Sequence, residues 1–144
     1  MHSLPFYLQL GFEHISDLAG YDHMLFLVAL CAVYRLEQWK QLLILVTAFT
    51  VGHSITLGLT SLSLLTIPSD LIEFLIPATI SITALHNVLS NTQTMHSERL
   101  TGRYLMALIF GFVHGMGFSN YFRALLMDES SILIPLFGFN LGIE

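Results

Sequence analysis

Charge is what this sequence has least of. Of its 144 residues only 10% are charged, against about 25% in an ordinary soluble domain. Five are Lys or Arg, too few to form the basic patch that nucleic acid would need, so nucleic acid is not expected as a partner. Cysteine is nearly absent. Cys31 stands alone, which excludes an internal disulfide framework and any Cys-based metal cluster. In its apolar run it packs as a small hydrophobe. No Lys or Arg precedes Tyr21, so no cleavable signal peptide is expected.

Apolar side chains fill the space that charge leaves. They make up 54% of the chain, and the mean hydropathy is +0.72. A soluble all-α core is the alternative that this composition disfavours. The expected fold is all-α: a polytopic transmembrane helical bundle with at least four spans plus a truncated fifth, residues 1–144 forming a single membrane domain.

Leu4 to Phe12 is apolar but too short to span, and reads as an interfacial or re-entrant helix ending near Gly20. Span one is expected over Tyr21–Tyr34, followed by Arg35 and the interfacial anchor Trp39-Lys40. Span two is expected over Gln41–Leu65, with His53 near its middle, and span three over Asp70–Leu89. Glu73 stands in the first turn of span three, and Pro77 one turn later kinks that helix and frees a carbonyl. A polar loop follows at 91–101, then span four over Arg103–Tyr121 with His114. From Ile132 an apolar helix restarts and stops at Glu144. It is too short to cross, so the chain is expected to be part of a longer gene.

Arg35, Lys40, Arg99 and Arg103 follow spans one and three, and only Arg123 falls on the other side. The N-terminus is therefore expected outside a bacterial inner membrane. No repeat of fixed period stands out. Gly52-His53 and His114-Gly115 hint at two related helices but are too short to establish a duplication.

Polar groups in hydrocarbon are expensive and point to function. His53 and His114 stand in apolar runs at mid-depth, and Asp22-His23 open the first span. Imidazole with carboxylate suits divalent first-row metals, whereas magnesium or calcium would need oxygen alone. Asp22, His23, His53 and His114 are the expected ligands, with His14, Glu73 and Glu144 as partners at compatible depth. Asp22 and His23 point about 100° apart on a helix, so one can ligate while the other orients. His14 and His23 can meet only if the chain bends near Gly20. Glycines beside His53 and His114 let helices approach. Asp17 reads as a helix cap, and Thr50, Ser54 and Thr56 as interhelical hydrogen-bond glue. His2, His86 and His96 read as surface or interfacial residues.

Four blocks in order carry a resemblance: His14 with Gly20-Tyr-Asp-His-Met-Leu-Phe26, Phe49-Thr-Val-Gly-His-Ser-Ile-Thr56, Phe110 to His114-Gly-Met-Gly-Phe118, and Phe139-Asn-Leu-Gly-Ile-Glu144. Together they resemble the HupE/UreJ family of bacterial membrane proteins. The resemblance implies uptake of nickel, sometimes cobalt, for hydrogenase and urease. It matches His14, Asp22 and His23 to the family's first motif, although a longer gap separates His14 from the Asp-His pair here. It matches His114 and Glu144 to the later His-Gly and Gly-x-Glu motifs. Members continue beyond this last block, which implies further helices in the bundle.

Three functions compete on these residues. The first is a divalent transition-metal permease, with nickel the expected ion and cobalt or zinc the alternatives. The second is an intramembrane metal-dependent hydrolase using the same His/Asp site to activate water. The third is an accessory membrane subunit. The expected partners are the bilayer and the ion. Self-association stays open.

Overall fold

The computed structural model describes residues 3–18, 20–89, 97–127 and 129–144. His2, His96, Asp128 and most of the expected polar loop lie outside the described residues. Every regular element among the described residues is helical: α1 (Leu4–Ser16), α2 (Tyr21–Cys31), a 3₁₀ turn (Leu36–Gln38), α3 (Trp39–Ser61), α4 (Ser69–Leu89), α5 (Ser97–Gly117), α6 (Ser119–Leu126) and α7 (Leu133–Ile143).

The sequence-based spans are cut differently by the structure. Two helical stretches are long and apolar enough to cross a membrane, Leu36–Ser61 and Ser69–Leu89. The α5–α6 pair makes a third if its 57° bend falls inside one span. Length and composition thus support two or three spans, not the four or more expected. The first expected span is only the 11-residue α2, about 16 Å long against a hydrocarbon core of about 30 Å. The fourth breaks at Phe118, within the expected range Arg103–Tyr121. Ser97–Thr101, expected in a loop, already belong to α5. The second ends at Ser61, and Ser63 then takes a left-handed φ of 59° that turns the chain.

Two closely packed helix pairs organise the bundle. In the first, α3 lies on α5. A Cβ on Gly52 would collide with the carbonyl oxygen of Leu108, one on Gly111 with that of Phe49, and one on Gly115 with that of His53. In the second, α1 lies on α7, where a Cβ on Gly11 would meet the carbonyl of Phe139 and one on Gly142 that of Leu8. Without side chains at these points the backbones touch, and dispersion replaces the hydrophobic effect that lipid cannot supply. The order of contacts shows that the two helices of each pair run in the same direction. Contacts between α3 and α7 run the other way, Gly58 beside Leu136, His53 beside Asn140 and Thr47 beside Glu144.

Aromatic rings fill the space beside each pair. Phe26, Leu30, Leu45, Phe49, Ala107 and Phe110 form one buried cluster. Leu57, Phe122, Phe139 and Ile143 form the other. The histidines lie between them. Two of the three hydroxyls expected to bridge helices bond within their own helix, Ser54 to Thr50 O and Thr56 to Gly52 O, and the Thr50 hydroxyl is buried without a partner. A short side chain four residues after a carbonyl reaches it more easily than a neighbouring helix.

Candidate metal centre

Four imidazoles converge near the middle of α3. His53 comes from α3, His23 from the first turn of α2, and His14 and His114 from the last turns of α1 and α5. His23, His53 and His114 are buried, with His53 fully inaccessible. The bend required for His14 to reach His23 occurs. Helix α1 stops at Ser16, the backbone turns extended at Asp17, and α2 starts at Tyr21. Asp17 is the C-cap residue of α1.

The ring centres of His14 and His23 are 4.6 Å apart, those of His14 and His53 6.1 Å, and those of His23 and His53 6.3 Å. His114 stands 5.3 Å from His23. One nitrogen from each of His14, His23 and His53 lies within 4.8 Å of the others.

Hydrogen bonds decide which nitrogen each ring turns inward. Asp22 Oδ1 can only accept, so His23 Nδ1–H donates to it at 3.1 Å. Asn140 spends its amide N–H on Leu136 O at 2.7 Å, so its Oδ1 accepts from His53 Nδ1–H at 3.2 Å. Thr79 spends its hydroxyl hydrogen on Ile76 O at 2.7 Å, so its oxygen accepts from His114 Nε2–H at 3.1 Å. The remaining nitrogens, Nε2 of His23, Nε2 of His53 and Nδ1 of His114, are then lone-pair donors. Each of these is buried without a hydrogen-bond partner, as is Nε2 of His14. Buried polar atoms are almost always satisfied, and unsatisfied ring nitrogens on the grouped His14, His23 and His53, with His114 5.3 Å from His23 but outside that group, call for a ligand. A metal-ligating histidine commonly ties its second nitrogen to an oxygen, which fixes the tautomer and orients the ring.

The other expected residues divide. Asp22 is at the cluster through His23. Glu73 is exposed and shares a cavity of about 540 Å³ with Asp22, Pro77 and Ser81. Glu144 is exposed at the end of α7, where it accepts a hydrogen bond from Thr47, away from the imidazoles. A second cavity, of about 550 Å³, opens on His14 between Glu13, Asp17, Phe118 and Tyr121. Phe118 lies 4.1 Å from the His14 ring, and Phe26 and Phe49 lie 5.1 and 5.3 Å from His114. Aromatic walls therefore keep the cluster dry apart from these flanks.

Thr79 and Asn140 are the site residues that the sequence reading did not single out. Asn140 lay inside a quoted motif, one helical turn before Glu144. Thr79 carried no signal, because a threonine in an apolar helix looks the same whether or not it holds an imidazole.

Membrane-length helices beside a histidine cluster define the class: a protein helical throughout its described regular elements, with segments long and apolar enough to cross a membrane and a metal-competent interior. The family model described as HupE / UreJ protein matches residues 1–144, and the chain belongs to that family. No curated protein and no solved structure matches it.

Proposed function

We propose that this chain is a divalent transition-metal permease, or the ion-binding part of one, with a nickel- or cobalt-type ion as cargo. The observation that carries the reading is the set of four buried ring nitrogens without partners, three of them on rings whose other nitrogen is held by Asp22, Asn140 or Thr79. Neutral imidazole is the donor that nickel, cobalt, copper and zinc share. Membership of the HupE/UreJ family supports transport and points to nickel within that group. In this reading His14, His23, His53 and His114 bind the ion. Asp22 offsets part of its charge through His23, and Glu73 attracts ions at the mouth of the adjoining cavity. Glu144 acts from the end of α7. The chain sits as a single domain in the bacterial inner membrane, N-terminus outside.

Elemental analysis of the purified chain after loading with nickel, and metal uptake in a transport-deficient host, test the proposal. Stoichiometric, exchangeable metal and restored uptake are expected. Absence of bound metal at saturating nickel, cobalt and zinc would overturn it. A hydrolysed lipid or peptide product would point to the hydrolase instead.

A further inference from the structure

We infer that α1–α3 and α5–α7 are two copies of one unit in inverted topology, and that the cation seat lies between equivalent helix C-termini, one from each copy. Leu8, Gly11, Phe12, His14 and Tyr21 recur, in register, as Leu108, Gly111, Phe112, His114 and Tyr121. Leu43, Ile44, Phe49 and Gly52 recur as Leu133, Ile134, Phe139 and Gly142.

The contacts obey the same correspondence, exchanged between copies. Gly11 of the first copy packs on the carbonyl of Phe139 in the second, and Gly111 of the second on that of Phe49 in the first. A Cβ on Gly142 would meet Leu8 O and lie 3.0 Å from Phe12 N. One on Gly52 would meet Leu108 O and lie 3.0 Å from Phe112 N. The His14 ring lies 5.4 Å from Phe139 and the His114 ring 5.3 Å from Phe49. Such matched pairs of backbone collisions are not a product of chance glycines, since each involves the corresponding partner atom.

The relation is inverted because α3 and α7, which correspond, run antiparallel. Their pairing of Gly58 with Leu136, His53 with Asn140 and Thr47 with Glu144 centres near Val51–Gly52 and Leu141–Gly142, which are themselves equivalent. A two-fold axis there lies across the helices, the arrangement of inverted-repeat transporters, whose sites sit at the repeat interface beside broken helices. Both copies break at the same place. Helix α1 ends after His14 and resumes as α2, and α5 ends after His114 and resumes as α6 across a 57° bend. Each break leaves a helix C-terminus, with its partial negative charge, within one turn of a histidine of the cluster.

The copies differ in chemistry and in access. The residues corresponding to His23 and His53 are Arg123 and Ile143, so the first copy supplies three imidazoles and the second one. His14 faces the open cavity, whereas His114 is covered by Thr79 of α4. Exchanging the two conformations between the copies covers His14 and uncovers His114, which is alternating access. This last step rests on the cation-site reading above; the duplication does not.

The test uses the full chain with Cys31→Ala and single cysteines at exposed helix starts. Ser3→Cys and Ser130→Cys are expected to react with an impermeant thiol reagent from one face of the membrane, and Lys40→Cys and Gly102→Cys from the other. In paired variants, a short thiol-specific cross-linker is expected to join Leu4→Cys to Gly138→Cys, and equally Tyr104→Cys to Ala48→Cys, the pair the symmetry generates. Labelling of all four positions from one face overturns the inversion. Cross-linking of the first pair without the second overturns the equivalence. Neither readout depends on metal, so a failure of the cation-site reading would show separately.

Discussion

Asn140 makes no claim on the ion, yet its removal should weaken metal binding sharply. His53 is fully buried, and its Nδ1–H has Asn140 Oδ1 as its partner at 3.2 Å. Asn140→Leu keeps the branching at Cγ and removes the acceptor. The ring then has two options. It can keep the proton on Nδ1 with nowhere to donate, which costs about 1–3 kcal/mol for an unsatisfied buried group. Alternatively it moves the proton to Nε2, the buried nitrogen without a partner, and withdraws a ligand. Loss of an outer hydrogen bond of this kind weakens metal affinity about 10–100-fold, or about 1.4–2.7 kcal/mol. Asn140→Asp keeps the acceptor and adds negative charge, so it should bind at least as tightly as the parent. Titration calorimetry of the detergent-solubilised chain with nickel measures all three. An Asn140→Leu protein that binds within twofold of the parent, while His53→Ala has lost binding, would refute the tautomer reasoning.

Other perturbations test other parts. His23→Ala, His53→Ala and His114→Ala should each abolish metal accumulation in cells while the protein still expresses and inserts, whereas His86→Ala, exposed in the last turn of α4, should leave accumulation unchanged. Gly52→Ala and Gly111→Ala drive a methyl group into a backbone carbonyl across the α3–α5 contact, and should cost about 1–3 kcal/mol or more. Gly102→Ala, with nothing within 4 Å, should not; thermal unfolding in detergent reads the difference. Protonation removes the lone pair that a metal needs, so nickel affinity should be greatest while the rings are neutral and fall as the pH is lowered, in calorimetric titrations across a pH series.

The sequence made the chemistry legible and hid the geometry. Histidines in apolar runs stand out because hydrocarbon penalises them, and His23, His53 and His114 were visible for that reason. The closeness of His14 to His23 was not, because it depends on a helix break at Asp17 that composition marks only by a nearby glycine. The span count departs from the helix boundaries at the same places. Ser119 and Asn120 are too few polar residues to interrupt the apolar run around Phe118, so hydropathy reads one helix where the structure has two. The duplication was hidden by its own spacing: the α1 and α5 elements correspond at one offset and the α3 and α7 elements at another, so no single period fits. The tempting match of Gly52-His53 with His114-Gly115 pairs helices that touch but do not correspond.

Transport and hydrolysis make opposite demands on such a cluster. A hydrolase needs a firmly held ion, an open coordination position and a free carboxylate beside it as general base. Asp22 is committed to His23, and Glu73 stands in the adjoining cavity. A carrier needs ligands that can close on an ion and let it go. Nitrogens about 2.1 Å from a tetrahedral ion lie about 3.4 Å from one another. Those of His14, His23 and His53 lie within 4.8 Å of one another, close enough to meet on one ion. His14 comes from the end of a helix that stops two residues later, and it can move without repacking the α3–α5 contact. His14 is also the imidazole that faces the open cavity. In the proposed permease reading the ion is therefore in passage rather than in residence.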